Sequence, residues 1–85
     1  MLTIWKFQLE VTDEQPINMP NGAQILSIQV QHEKPYIWAM VDPDAEKKNS
    51  TIQIFGTGLP VTNPGIFIGT FQVSGGSLVF HAFIK

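Results

Sequence analysis

The chain has no cysteine and no arginine. The first absence excludes a disulfide framework and any zinc site built on thiolates. The second leaves five lysines as the only fixed cations, against seven acidic residues, for a net charge of −2. A duplex nucleic-acid binder draws its affinity from many cationic contacts to phosphate, so none is expected here. Charge of either sign is scarce: 14% of the residues, against about 25% in ordinary domains. No apolar run approaches the roughly 18 residues of a membrane span, so no membrane partner is expected. The first ten residues, MLTIWKFQLE, alternate polar with apolar. They lack the basic start and solid apolar stretch of a secretory leader, so none is expected.

What is present is apolar and β-forming. Hydrophobic types make up 44% of 85 residues, too many for a disordered chain of such low net charge. The length suits a single domain spanning residues 1–85. A chain this short buries only about 60–65% of its unfolded surface, and here no covalent staple assists it. With so few charges, its outside must be coated by uncharged polar side chains or covered by a second copy. The second alternative is the expectation adopted: a homo-oligomer.

The segments read as strands. Residues 3–11 alternate, with Trp5, Phe7, Leu9 and Val11 on one face and Lys6, Gln8 and Glu10 on the other. Residues 12–22 read as loop and turn, with Ile17 and Met19 as a possible short edge strand before Pro20-Asn21-Gly22. Residues 24–31 alternate again, with Leu26, Ile28 and Val30 expected inward. His32 to Pro35 connects them to 36–41, a strand apolar on both faces. Such a strand is central, or is covered on its second face by a partner. Residues 42–50 read as a solvated loop. Strands follow at 51–56, 66–73 and 78–84, the second with Gly69 in its interior, which signals a bulge or a close backbone approach. The charges gather at 10–14, 32–34 and 42–48, so 36–41 and 78–84 carry almost none. The fold class is all-β: about six antiparallel strands in a small barrel or a two-layer sandwich.

The motifs argue against an enzyme. No serine lies in a G-x-S-x-G elbow, and no carboxylate pair is placed for acid–base work. Asp42, Asp44 and Glu46 share a loop but lack the Gly and the later bidentate Glu of a calcium site. Two histidines alone do not make a metal centre, and no cofactor is implied. Gly56-Thr57-Gly58 ends a strand without entering a helix, so it is not a nucleotide-binding P-loop or dinucleotide fingerprint. It is either a tight turn needing positive φ or a nest of N–H groups for an anion. His81 is either a satisfied residue of core or interface, or a donor to a ligand. The aromatic residues fill the core or stack a base.

Together, Ile4-Trp5-Lys6-Phe7, Met19 to Leu26, Trp38 to Asp42, Phe55-Gly56-Thr57-Gly58, Ile68 to Phe71 and Val79-Phe80-His81-Ala82-Phe83 resemble a family of small bacteriophage proteins carried as a domain of unknown function. The family pattern includes a His shortly after Gly-Thr-Gly, where this chain has Leu59-Pro60. The resemblance implies phage origin and the host cytoplasm. By analogy with small oligomeric β-rich phage proteins, it suggests an anti-defence sponge of the kind that acts on CBASS or Thoeris. Such a sponge would sequester a cyclic or ADP-ribose-type nucleotide without turnover. The expected ligand-binding residues are then Lys6, Trp38, Gly56, Thr57, Gly58, Thr70, His81 and Phe83. The alternative is a protein-interaction module, inhibiting a host protein or serving as a minor structural or assembly factor.

Overall fold

The computed structural model describes residues 1–85 and is all-β, with one single-turn 3-10 segment at Ser74–Gly76. Seven strands form: β1 (Thr3–Gln8), β2 (Glu14–Pro20), β3 (Gln24–Gln31), β4 (Lys34–Val41), β5 (Lys47–Gly56), β6 (Ile66–Val73) and β7 (Leu78–Ile84). They make two antiparallel sheets, ordered β1-β4-β3 and β2-β5-β7-β6. Neither sheet closes on itself, so the architecture is the sandwich and not the barrel.

The short edge strand possible at Ile17 and Met19 forms, longer than expected. Residues 14–20 form a full edge strand, and β5 begins at Lys47, inside the segment expected to be loop. The two corrections have one cause. The polar start of β5 pairs with β2, Met19 opposite Lys48 and Ile17 opposite Ser50. An edge strand pair with one solvated face needs few apolar residues, so its pattern is faint in the sequence.

Alternation sets the layers. In β4, Ile37, Ala39 and Val41 are buried, while Tyr36, Trp38 and Met40 face outward and are half-buried. The shared core joins Leu9, Ile28, Ile37, Ala39 and Val41 from one layer to Ile17, Met19, Ile52, Ile54, Phe71, Val73 and Ala82 from the other. Leu26 departs from its expected inward place. A bulge between Ile25 and Ser27 inserts it as an extra residue, and it is exposed. A second bulge lies between Phe67 and Gly69. A Cβ on Gly69 would stand 2.7 Å from the Ile28 methyl, so this glycine is where the two layers touch.

The hairpins hold one another. His32 and Glu33 both take positive φ, the two-residue turn that matches strand twist and normally selects Asn-Gly. The Glu33 carboxylate accepts hydrogen bonds from the amides of Ser74 (2.7 Å) and Gly75 (3.3 Å). A left-handed Ser74 shapes that small anion nest. One carboxylate thus ties the β3–β4 turn to the β6–β7 turn.

Candidate functional site

The outward face of the four-stranded sheet carries a compact group of side chains. Period-two alternation places Gln53, Phe55 and Thr57 of β5 and its following turn on this face. Cross-strand pairing sets Phe55 beside His81, and His81 beside Thr70. One step along, Gln53, Phe83 and Phe67 form the next row.

His81 is the hub. Its Nε2 lies 2.7 Å from Thr57 Oγ1 and its Nδ1 lies 2.9 Å from Thr70 Oγ1. Thr57 Oγ1 also donates to the Val79 carbonyl at 3.2 Å. One assignment satisfies every group in the neutral ring: Nε2–H donates to Thr57, and Nδ1 accepts from the Thr70 hydroxyl. Thr57→Val should therefore cost about 1 kcal/mol in denaturant unfolding, the net worth of a hydrogen bond. Ring-nitrogen NMR should show the proton of neutral His81 on Nε2; a proton on Nδ1 would overturn the assignment.

The chain Thr57–His81–Thr70 has the reach of a nucleophile, base and orienting group. It lacks the carboxylate that would stabilise an imidazolium, and Thr57 hands its own proton to a backbone carbonyl. The arrangement holds a ring in place and supplies no activated nucleophile.

Gly56-Thr57-Gly58-Leu59 is a tight turn. The Leu59 amide donates to the Gly56 carbonyl at 3.1 Å, and Gly58 has φ +86° at the position where a type II turn requires glycine. The Thr57 amide donates to Val79 at 3.2 Å. With the amides of Thr57 and Leu59 both spent, the turn is not an anion nest.

Aromatic rings complete the face. Phe83 meets Phe55 at 5.6 Å and Phe67 at 5.4 Å between centroids, both edge-on, a geometry favoured by the ring quadrupoles. Phe67 is 56% exposed. Beside the turn, an open cleft of about 410 Å³ is lined by Asp13, Glu14, Gln53, Phe55 and Leu59 among others. Its two carboxylates oppose an anionic occupant.

Of the expected site residues, Gly56, Thr57, Gly58, Thr70, His81 and Phe83 are brought together here. Lys6 and Trp38 are not. They pair with each other across β1 and β4, on the outward face of the other sheet. There Lys6 Nζ stands 4.7 Å from the Tyr36 ring centroid and 5.6 Å from that of Trp38, and bonds Gln31 at 3.0 Å. The Trp38 indole N–H beside it is buried without a partner. By alternation Lys85, two residues beyond Phe83, is the lysine of this face nearest to His81 in the register, and it is already paired. Lys47 and Lys48 start the strand that brings Phe55 to His81, more than about 20 Å away along it. Lys85 is held by Glu14 at 3.1 Å. No group of three or more His, Asp or Glu side chains is placed to hold a metal ion.

Phe55 and Gln53 were missed as members of this face, although both follow from alternation with Thr57. Gln53 is only 2% exposed despite lying on the outward side. The 57–65 loop folds over it: Gln53 Nε2 donates to the Asn63 carbonyl (3.1 Å), and the Gly65 amide donates to its Oε1 (2.9 Å).

The whole chain, residues 1–85, matches a family described as a domain of unknown function (DUF7352). Among curated proteins and among solved structures, none matches.

Proposed function

We propose that this chain, which belongs to the DUF7352 family, is a non-catalytic protein-interaction module that docks a partner on the outward face of its four-stranded sheet. The observation that carries the reading is the uncharged Phe55–Phe83–Phe67 strip beside His81, a ring whose two nitrogens are already bonded. Surfaces of this chemistry bury well against a protein, where aromatic anchors dominate the binding energy and charged groups are depleted. A phosphate would find there a lysine, Lys85, already paired with Glu14, and spent amides in the turn. The motif resemblance extends the proposal to a bacteriophage protein that meets a host or virion protein in the host cytoplasm. No helix is long and apolar enough to cross a membrane.

A nucleotide sponge is the second reading, favoured by Lys6 over Tyr36 and Trp38 and by the unpartnered indole N–H. A base would stack on those rings with its phosphate near Lys6, on the opposite sheet from His81.

One paired experiment separates the two. Tagged wild type and Phe67→Asp are used for capture from host lysate, and both are melted against cyclic and ADP-ribose-type nucleotides. The expected result is a captured protein lost by at least roughly tenfold with Phe67→Asp, and no nucleotide effect. Equal capture by both proteins defeats the lead reading. A nucleotide present at 100 times its Kd should stabilise by about 2.7 kcal/mol, and that shift would move the function to the sponge.

A further inference from the structure

The four sheet edges are not equally protected. An edge strand exposes unpaired N–H and C=O groups and joins another strand unless it is guarded. Strand β2 is guarded by Pro16 and Pro20. Strands β3 and β6 are both bulged, and they lie against each other where Gly69 meets Ile28. Strand β1 has only one such guard, the outward-facing Lys6 near its centre. Its register with β4 runs unbroken from Thr3 to Gln8, with no proline, glycine or bulge.

Strand β1 is also thinly covered. It pairs with β4 and lies at the end of its sheet. Trp5 and Phe7 point to the inner side but are only half-buried at the margin of the core. On the outward side Ile4 is 57% exposed. Free backbone groups and partly covered apolar residues on both faces call for the same thing, another strand alongside.

We infer that the occupant is β1 of a second copy, added antiparallel about a two-fold axis to give one continuous six-stranded sheet, β3-β4-β1-β1-β4-β3. The axis runs through the sheet, so each face stays on its own side and equal or even-spaced residues oppose one another. An axis at Lys6 would set two ammonium groups directly opposite, which is unfavourable. An axis at Trp5 sets Trp5 against Trp5, a favoured aromatic pair, and Ile4 against Lys6 of the second copy. This is the register assigned here. The dimer uses the sheet opposite to the His81 face, so it stands or falls independently of the partner-docking reading.

The register makes a charge test with opposite signs. Ile4 is exposed, so Ile4→Lys and Ile4→Glu both leave the monomer folded. Ile4→Lys places two like-charge pairs across the axis, and Ile4→Glu places two opposite-charge pairs with Lys6. Sedimentation velocity across a concentration series reads the assembly, and circular dichroism checks the fold. The expected result is a wild-type dimer, weakened roughly tenfold or more by Ile4→Lys and retained by Ile4→Glu. Salt should reduce the difference between the two variants. A wild type that stays monomeric at every concentration overturns the inference. So does a dimer of equal strength in both variants, since the interface would then lie elsewhere.

Discussion

Gly65→Ala is expected to destabilise the protein by about 3 kcal/mol, lowering its melting temperature by roughly 12–24 °C. The added Cβ would stand 2.6 Å from the Ile84 carbonyl carbon and 2.9 Å from Lys85 Cα, and closer still to the Ile84 oxygen. These are backbone atoms at the end of β7, so no side chain can swing aside. Either the loop lifts from the sheet or the strand end moves. Lifting breaks the Gly65 amide bond to Gln53 and strands a buried amide group. Gly58→Ala is the control. It has a positive φ but nothing within 4 Å of the added atom, so it should cost only about 1–2 kcal/mol of conformational strain. Gln53→Leu should reproduce part of the Gly65 effect, because it leaves the Asn63 carbonyl and the Gly65 amide without their partner. The double variant Gln53→Leu, Gly65→Ala should then cost less than the sum of the singles. Chemical denaturation of the four proteins measures all of this. Equal losses at Gly58 and Gly65 would remove the close-approach argument.

Much of this architecture is legible in the sequence, and what is not legible follows a physical order. Where one face is apolar and the other polar, as in β1, alternation places Trp5, Phe7 and Leu9 inward and Lys6 and Gln8 outward, although the strand ends at Gln8 and Val11 lies beyond it, exposed. The interior glycine of β6 signalled a bulge or a close approach, and Gly69 borders the one and makes the other. The bulge in β3 left no such mark. Leu26 sits at an even spacing from Ile28, and nothing in the residues says that one of them is extra. The polar first half of β5 resembles a loop in sequence because its partner is an edge strand rich in proline and polar residues, which asks for no apolar pattern opposite. At the candidate site, the alternation of Gln53, Phe55 and Thr57 is legible in the sequence. The meeting of Thr57 with His81 is not, since it depends on which strands are neighbours. The same ignorance of strand order joined Lys6 and Trp38 to a face they do not share.

The bulge in β6 has a consequence that two phenylalanines measure. Phe67 and Phe71 are four apart, and in a regular strand they would point the same way. The inserted Ile68 reverses this, so Phe67 pairs with Phe83 outward while Phe71 pairs with Phe80 inward. Phe71 is 4% exposed and packs on Phe80 at 5.6 Å, within a core of only 12 buried apolar residues. Phe71→Ala should therefore cost about 3–5 kcal/mol. A chain of this length is stable by only about 4–13 kcal/mol in total, so the variant should lose a large share of its stability and melt well below the wild type. Phe67→Ala deletes the same atoms from the same strand and should cost less than about 1 kcal/mol, because more than half of that side chain is already in water. Its loss should appear in partner capture and not in melting. Equal destabilisation by the two variants would mean that the strand is regular in solution and the bulge absent. The bulge thus divides one strand between two tasks, closing a thin core at one end and offering an aromatic surface at the other.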